Sequence, residues 1–297
     1  MIDLSPLWRW IREREAIRQR KDRGDPPPWT DDPILSAYRF CNVRREDDRG
    51  TTWIRKNVRE PYAGHPMLWL MLCICRQINW PDSIAELIDH AHAHAWPHDG
   101  AHFSPTRMAA VLNGRKRRGD KIYTGAYMIS APPTRGSDKQ TYICDTVIGD
   151  LWRRSRATWR PPEMKDGPPW RSPTLRDAHA WISGSPGWGP FMAYQAVVDM
   201  RFTAILGDAQ DRDAWAAAGP GTIRGLNRLH GRDVSAPLGQ DRALDEMRDI
   251  HRVSWENTGV PMDFSDVPNA LCETDKYLRV MTGQGKPRAK YVPGRGS

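Results

Sequence analysis

The sequence predicts a mostly α protein organised around a helix-hairpin-helix. Three observations carry that prediction. Residues 185–200 (SPGWGPFMAYQAVVDM) set Gly187 and Gly189 on either side of one tryptophan and run at once into an apolar helical pattern. Over most of the remaining chain, apolar residues fall at helical spacing, punctuated by glycine and proline. Only residues 119–142 (GDKIYTGAYMISAPPTRGSDKQTY) mix β-formers with turn residues, which marks a small irregular or β-hairpin insertion.

The elements follow in order. Residues 4–23 form an amphipathic helix with Leu7, Trp8, Ile11 and Ile17 on or near one face, stopped by Gly24 and Pro26 to Pro28. Thr30 or Asp31 caps the next helix, Pro33 sits in its first turn, and helix continues through Arg49. Residues 53–58 and 67–79 are helical, the second deeply buried, and Asp82 or Ser83 caps a helix running to Ala95. After the 119–142 insertion, residues 143–157 return to helix, and 159–173 are a connection rich in proline and tryptophan. Helices at 175–182 and 191–202 flank the glycine hairpin. The glycine-rich basic tail, 284–297, reads as disordered. No internal repeat is present, and residues 1–283 form one helical domain, in one lobe or in two at about 1–158 and 174–283.

Composition narrows the partners. The 297 residues carry a formal charge of +8, which favours a polyanion, and 14 tryptophans, which serve as core or as flat faces for bases. Five cysteines without a repeated CxxC pair argue against a disulfide framework or a cysteine zinc site, and fit a reducing cytoplasm. The N-terminus lacks the apolar core of a signal peptide, and the longest apolar run, starting at Met67, is far too short to span a bilayer.

The hairpin makes Gly187, Trp188, Gly189 and Tyr194 candidates for DNA contact, because backbone N–H groups at such a turn can grip a phosphate; an ordinary helix–helix turn is the alternative. Downstream, Asp208, Asp211 and Asp213 cluster as candidate catalytic carboxylates or as caps of a following helix. Arg224 and Arg228, after the Gly219-Pro220-Gly221 turn, meet phosphate or are solvated surface. In the segment NVRREDD, whose helix also carries Asp48, Asn42, Arg45 and Glu46 fall roughly on one face, with Arg49 a turn further on. An amide and a carboxylate can read a flipped base there and the arginines can hold pyrophosphate, unless this is an ion-paired surface helix. Glu273, Asp275, Lys276 and Arg279 gather near the C-terminus, where Glu273, Asp275 and Lys276 are candidate substrate-binding groups and the carboxylates beside the lysine can be a general base, metal ligands or plain ion pairs. His90 and His94 stand one helical turn apart, but a polar helix face is the commoner meaning of such spacing. There is no GxxxxGK[ST], so the chain is not itself a P-loop kinase, and no GxSxG or GxGxxG.

The placement of Asp208, Asp211 and Asp213 past the hairpin resembles the helix-hairpin-helix DNA glycosylase superfamily. The motifs WTDDPIL, YRFCNVRREDD, IYTGAYMIS, PGWGPFMAYQAVVDMR, AGPGTIRGLNRL and LCETDKY resemble, from about Leu7 to Arg279, a phage DNA-hypermodification family. It comprises the α-glutamyl/putrescinyl-thymine pyrophosphorylases and the related helical domain of 5-hydroxymethyl-dU DNA kinases. The resemblance implies a glycosylase-like helical fold and a reaction on DNA containing modified thymine. A kinase activates 5-hydroxymethyluracil as a pyrophosphate, and a protein of this kind replaces pyrophosphate with a free amine or amino acid. The partners implied are that DNA, the amine and a separate 5-hydroxymethyl-dU DNA kinase, in the cytoplasm of a bacterial host during phage infection. No cofactor or metal site is predicted, and a divalent metal stays open. In this scheme Arg45 and Lys276 attend the leaving group, and Asp48, Asp208, Asp211 or Asp213 takes the proton of the incoming ammonium. Two alternatives stay open: a base glycosylase using a downstream Asp, and a non-catalytic helical DNA-binding partner of the kinase. The run FMAYQAVVDM has no lysine, which removes support for a Schiff-base lyase.

Overall fold

The computed structural model describes residues 2–125, 138–157, 174–285, 287, 290 and 291. The middle of the expected insertion, the proline- and tryptophan-rich connection and most of the basic tail therefore lie outside the described residues. The described chain is mostly helical, as the sequence predicts, and among the described residues the sole β pairing is an isolated antiparallel bridge, Tyr38 to Lys290. None of these helices is long and apolar enough to cross a membrane. Contacts divide the chain into two units, Met1–Arg49 with Asp213–Ser297, and Gly50–Arg212.

The first unit brings together the two ends of the sequence. Helix α1 (Ser5–Asp22) starts where Asp3 accepts a hydrogen bond from Ser5 N, and ends on Arg20 and Lys21, cations that suit the negative end of a helix. It buries Leu7, Trp10, Ile11 and Ile17. Asp32, one residue beyond the expected cap, accepts from Ile34 N and Leu35 N and opens the short helix α2 (Pro33–Ala37). Three helices complete this unit; counting the second unit's α3 to α10 in between, they are α11 (Pro220–Leu229), α12 (Gln240–Thr258) and α13 (Asp266–Met281). α11 and α13 approach closely because Gly221 and Gly225, one turn apart, face α13. A Cβ on Gly221 would strike Cys272 Sγ, and one on Gly225 would strike the carbonyl oxygen of Leu271. Within the tail expected to be disordered, Tyr291 N donates to Ala37 O, and Lys21 lies over both the Tyr291 and Trp29 rings.

The second unit starts with α3 (Arg49–Ile54), α4 (Leu68–Ile78), α5 (Pro81–Asp89) and α6 (Pro105–Arg117). It continues through α7 (Lys139–Thr141), α8 (Gly149–Ala157), α9 (Leu175–Ser183) and α10 (Pro190–Met200). All 11 residues of α4 are buried, nine of them apolar, so this helix is packed on every side and forms the unit's centre. Its one charged residue, Arg76, makes a bidentate pair with Asp199 of α10 (2.6 and 2.6 Å) and reaches Thr51. Both partners are almost fully buried. Such a pair ties two helices into one register, and removing either partner strands a charge at a cost of about 3–5 kcal/mol.

Candidate functional site

The helix expected to run through Arg49 stops at Ala37. Tyr38 is extended, and residues 45–47 make a single 3-10 turn. Asn42, Arg45 and Glu46 therefore do not share a helix face. Local side-chain bonds compete with the helix here. Asp48 Oδ1 accepts from Asn42 N (2.8 Å), and Asn42 Nδ2 donates to Asp47 O (2.7 Å), closing a loop that a helix could not hold. The second bond turns the Asn42 carboxamide back on its own loop.

Two helices grip this loop from the sides. Asp266, Asn269, Glu273 and Lys276 recur at steps of three and four along α13, which puts them on one face. Glu273 Oε2 accepts from Cys41 N (3.0 Å), Asn269 Nδ2 donates to Asn42 O (3.0 Å), and Asp266 Oδ1 accepts from Arg45 N (2.8 Å). The helix thus meets the loop's backbone in antiparallel order, Asp266 at Arg45, Asn269 at Asn42 and Glu273 at Cys41. Lys276 Nζ closes the row on Glu273 (2.7 Å) and lies over the Phe40 ring, which packs beside Trp10 and Tyr277. From α1, Arg14 Nε donates to Cys41 O (3.1 Å) and Arg18 pairs with Asp47.

The electrostatics of this cluster single out two carboxyl groups. Asp48 is half-buried and its pKa is pushed up to about 6 by desolvation. The hydrogen bond from Asn42 and the charges of Arg45 and Arg14 pull it back only in part. Asp266 is buried at the start of α13 and is pushed up to about 7, by burial first, against the hydrogen bond from Arg45. The site thus holds a carboxylate poised near neutral pH beside guanidinium and ammonium groups, an arrangement able to accept a proton while cations hold an anion.

Other predicted residues take other places. Asp275 is buried on a different face of α13 and binds Arg224 Nε (2.9 Å) and Arg228 Nε (2.7 Å), so both arginines are engaged in joining α11 to α13. Asp211 carboxylate oxygens accept from Leu175 N and Arg176 N, which makes it a cap for the first turn of α9. Asp208 and Asp213 are exposed. His94 is not on a helix with His90, because α5 ends at Asp89; His94 adopts a left-handed backbone and packs on His102. Among the described residues, no three His, Cys, Asp or Glu side chains are grouped as a metal ion requires. Sequence reasoning missed Arg14, Asp266 and Asn269. Arg14 looks like its neighbours in IREREAIRQR, and Asp266 looks like any helix-start acid.

The glycine hairpin forms between α9 and α10 in the second unit. Gly187 has φ +74°, a conformation that favours glycine. Gly189 has φ −69° and open space around an added Cβ, so the backbone does not require glycine there. Trp188 corrects the sequence reading. It is 1% exposed, and its Nε1 donates to Val147 O (3.1 Å), so it is a core plug and not a DNA-facing aromatic. Tyr194 is buried as well, with its ring edge-on to His179. Arg154 braces the turn through Ser185 Oγ and Trp181 O while lying over the Trp181 ring. Gly189 precedes α10 with no side-chain cap, and Phe191 projects beside it, half exposed.

Residues 3–286 match the family model described as "5-hmdU DNA kinase, helical domain". A protein of Bacillus phage SP10 described as "5-hmdU DNA kinase" is 26% identical over 299 aligned residues, covering 90% of this chain and 43% of the relative. The chain therefore spans less than half the length of that curated relative. No solved structure matches it.

Proposed function

The chain belongs to the 5-hmdU DNA kinase helical-domain family, and from that premise we propose that it acts on 5-hydroxymethyluracil in phage DNA as a base-modifying transferase. The reading places a pyrophosphate-activated 5-hydroxymethyluracil, turned out of the duplex, at the Asp48 cluster of the first unit. An amine attacks the methylene on C5. The new C–N bond forms as the C–O bond to pyrophosphate breaks, and the amine's proton goes to Asp48. Arg45 and Lys276 supply positive charge toward the leaving group. The α9–α10 hairpin serves as a helix-hairpin-helix holding a backbone phosphate, as in glycosylase-like folds.

One observation carries the choice of site. The 38–48 loop is pinned by backbone bonds to Asp266, Asn269 and Glu273 so that Asp48, with a pKa near 6, sits among cations. Asp211 is committed to capping α9, which weighs against it as the base. A second reading has its own support: the matched relative is described as a kinase and the match covers 43% of it, while this chain has no phosphate-binding GxxxxGK[ST]. In that reading the chain is the helical DNA-recognition partner of a kinase. Duplex carrying pyrophosphorylated 5-hydroxymethyluracil, incubated with the protein and candidate amines, then digested to nucleosides, distinguishes them by mass. An amine-bearing nucleoside supports the transferase. An abasic site points to a glycosylase. No chemistry, with stimulation of an added kinase, supports the partner reading.

A further inference from the structure

We propose that Arg14, on α1, contacts the modified base directly and donates from Nη1 to an oxygen of its modification, phosphoryl or 5-hydroxymethyl. This rests on the reading of the Asp48 cluster given above. The guanidinium is held from one edge. Nε donates to Cys41 O at 3.1 Å, and Nη2 faces Phe40 O at 3.5 Å, just beyond a good hydrogen bond. These two carbonyls belong to the loop that Glu273 and Asn269 fix through Cys41 N and Asn42 O, so the orientation of the fork is set by α13 as well as by α1.

The other edge of the fork is the informative one. Nη1 is buried and meets no hydrogen-bond partner among the described residues. A buried N–H left unpaired is costly, and a charged one more so, and such groups in native proteins call for an explanation. Charges around it give one. Asp48, Cys41, Glu273 and Glu15 are the groups whose fields act on Arg14, and three of these four line the loop site. The cation faces the same cluster as the proposed base, and an oxygen of a base bound there would complete its hydrogen bonds. Arginine suits this because its planar fork can be anchored by one edge while the other reads a ligand. The same charge helps hold Asp48 from rising further, so Arg14 serves both the binding and the ionisation of the site.

The test measures affinity of the full chain for three duplexes, identical except for one thymine, 5-hydroxymethyluracil or phosphorylated 5-hydroxymethyluracil. For R14K and R14A, affinity for thymine duplex should stay as in the unsubstituted protein, while affinity for a modified duplex falls about 10- to 100-fold. A loss confined to the phosphorylated duplex assigns a phosphoryl oxygen; a loss on both modified duplexes assigns the oxygen of the 5-hydroxymethyl group. R14K keeps the charge and removes the fork, which guards against a variant that merely unfolds. In the unsubstituted protein, the guanidinium ¹⁵N signals of Arg14 should shift on adding modified duplex and not on adding thymine duplex. If the protein distinguishes the duplexes and both variants distinguish them equally, Arg14 does not contact the base. If the protein itself fails to distinguish them, the site reading falls and this inference falls with it.

Discussion

Asp48 and Asp266 pull stability and activity in opposite directions across neutral pH. Each has a pKa raised above the ordinary Asp value near 3.8, to about 6 and about 7. The folded state therefore favours their protonated forms. The stability they contribute is fully present below about pH 4 and is lost as pH rises through 6 to 7. Denaturant unfolding between pH 5 and 8 should show stability decreasing with pH, and D48N and D266N should each flatten that dependence. A proton acceptor works only when ionised, so transfer by the unsubstituted protein should rise with pH through about 6, and D48N should abolish it. A D48N protein that keeps full activity would remove Asp48 as the base. The hairpin glycines divide in the same residue-level way. At Gly187 any side chain is strained by the positive φ, whereas at Gly189 an alanine meets open space. G189A should therefore keep the melting temperature of the parent, so that a loss of DNA affinity in it reports on close approach of phosphate and not on misfolding. Unchanged affinity in G189A would leave the hairpin as an ordinary turn.

At the scale of elements, the α11–α13 pair shows packing overruling propensity. Replacing a mid-helix glycine with alanine in an exposed helix gains about 1 kcal/mol. At Gly225 the added Cβ would land on the Leu271 carbonyl, a backbone atom that cannot swing away. G225A should thus destabilise, by about 1–3 kcal/mol in denaturant unfolding, as overpacking does. A stabilised G225A would mean that the two helices can part freely. The same contrast governs what could be read from the chain. The helices at 4–23, 67–79, 143–157 and 175–202 are legible because apolar spacing, proline and glycine all agree along each segment. The 38–48 loop is not legible as a loop. Its residues suit a helix, and what breaks that helix is a set of bonds from Asn42, Asp48 and α13, more than two hundred positions away. Glu273 and Lys276 were recognised as a pair from their spacing, but nothing local says that Glu273 also holds Cys41 N. The place of Trp188 is not legible for a related reason: flanking glycines mark a turn without saying on which side of it the indole lies.

At the scale of the whole molecule, charge is the property that speaks to DNA, and its distribution matters more than its sum. A formal +8 predicts binding that weakens steeply with salt, since each phosphate neutralised contributes about −0.9 to the slope of log affinity against log salt. Not every cation contributes to that slope. Arg228 is largely covered and is spent on Asp275 and Gln284, and Arg224 shares the same carboxylate. Releasing either to a phosphate would leave Asp275, almost fully buried, with one partner in place of two. The cost of under-satisfying that carboxylate, about 1–3 kcal/mol, rivals what one phosphate contact returns. R228Q should therefore lower the melting temperature of the full chain while leaving the salt slope of duplex binding unchanged. Arg117, exposed at the end of α6, meets no acidic side chain among the described residues and has no such debt to settle before reaching a phosphate. R117Q should reverse the pattern, with stability kept and the slope reduced by up to one phosphate's worth if this face touches DNA. A slope reduced in R228Q would show that binding DNA pulls Arg228 from Asp275, and would make the α11–α13 clamp part of the DNA-binding surface.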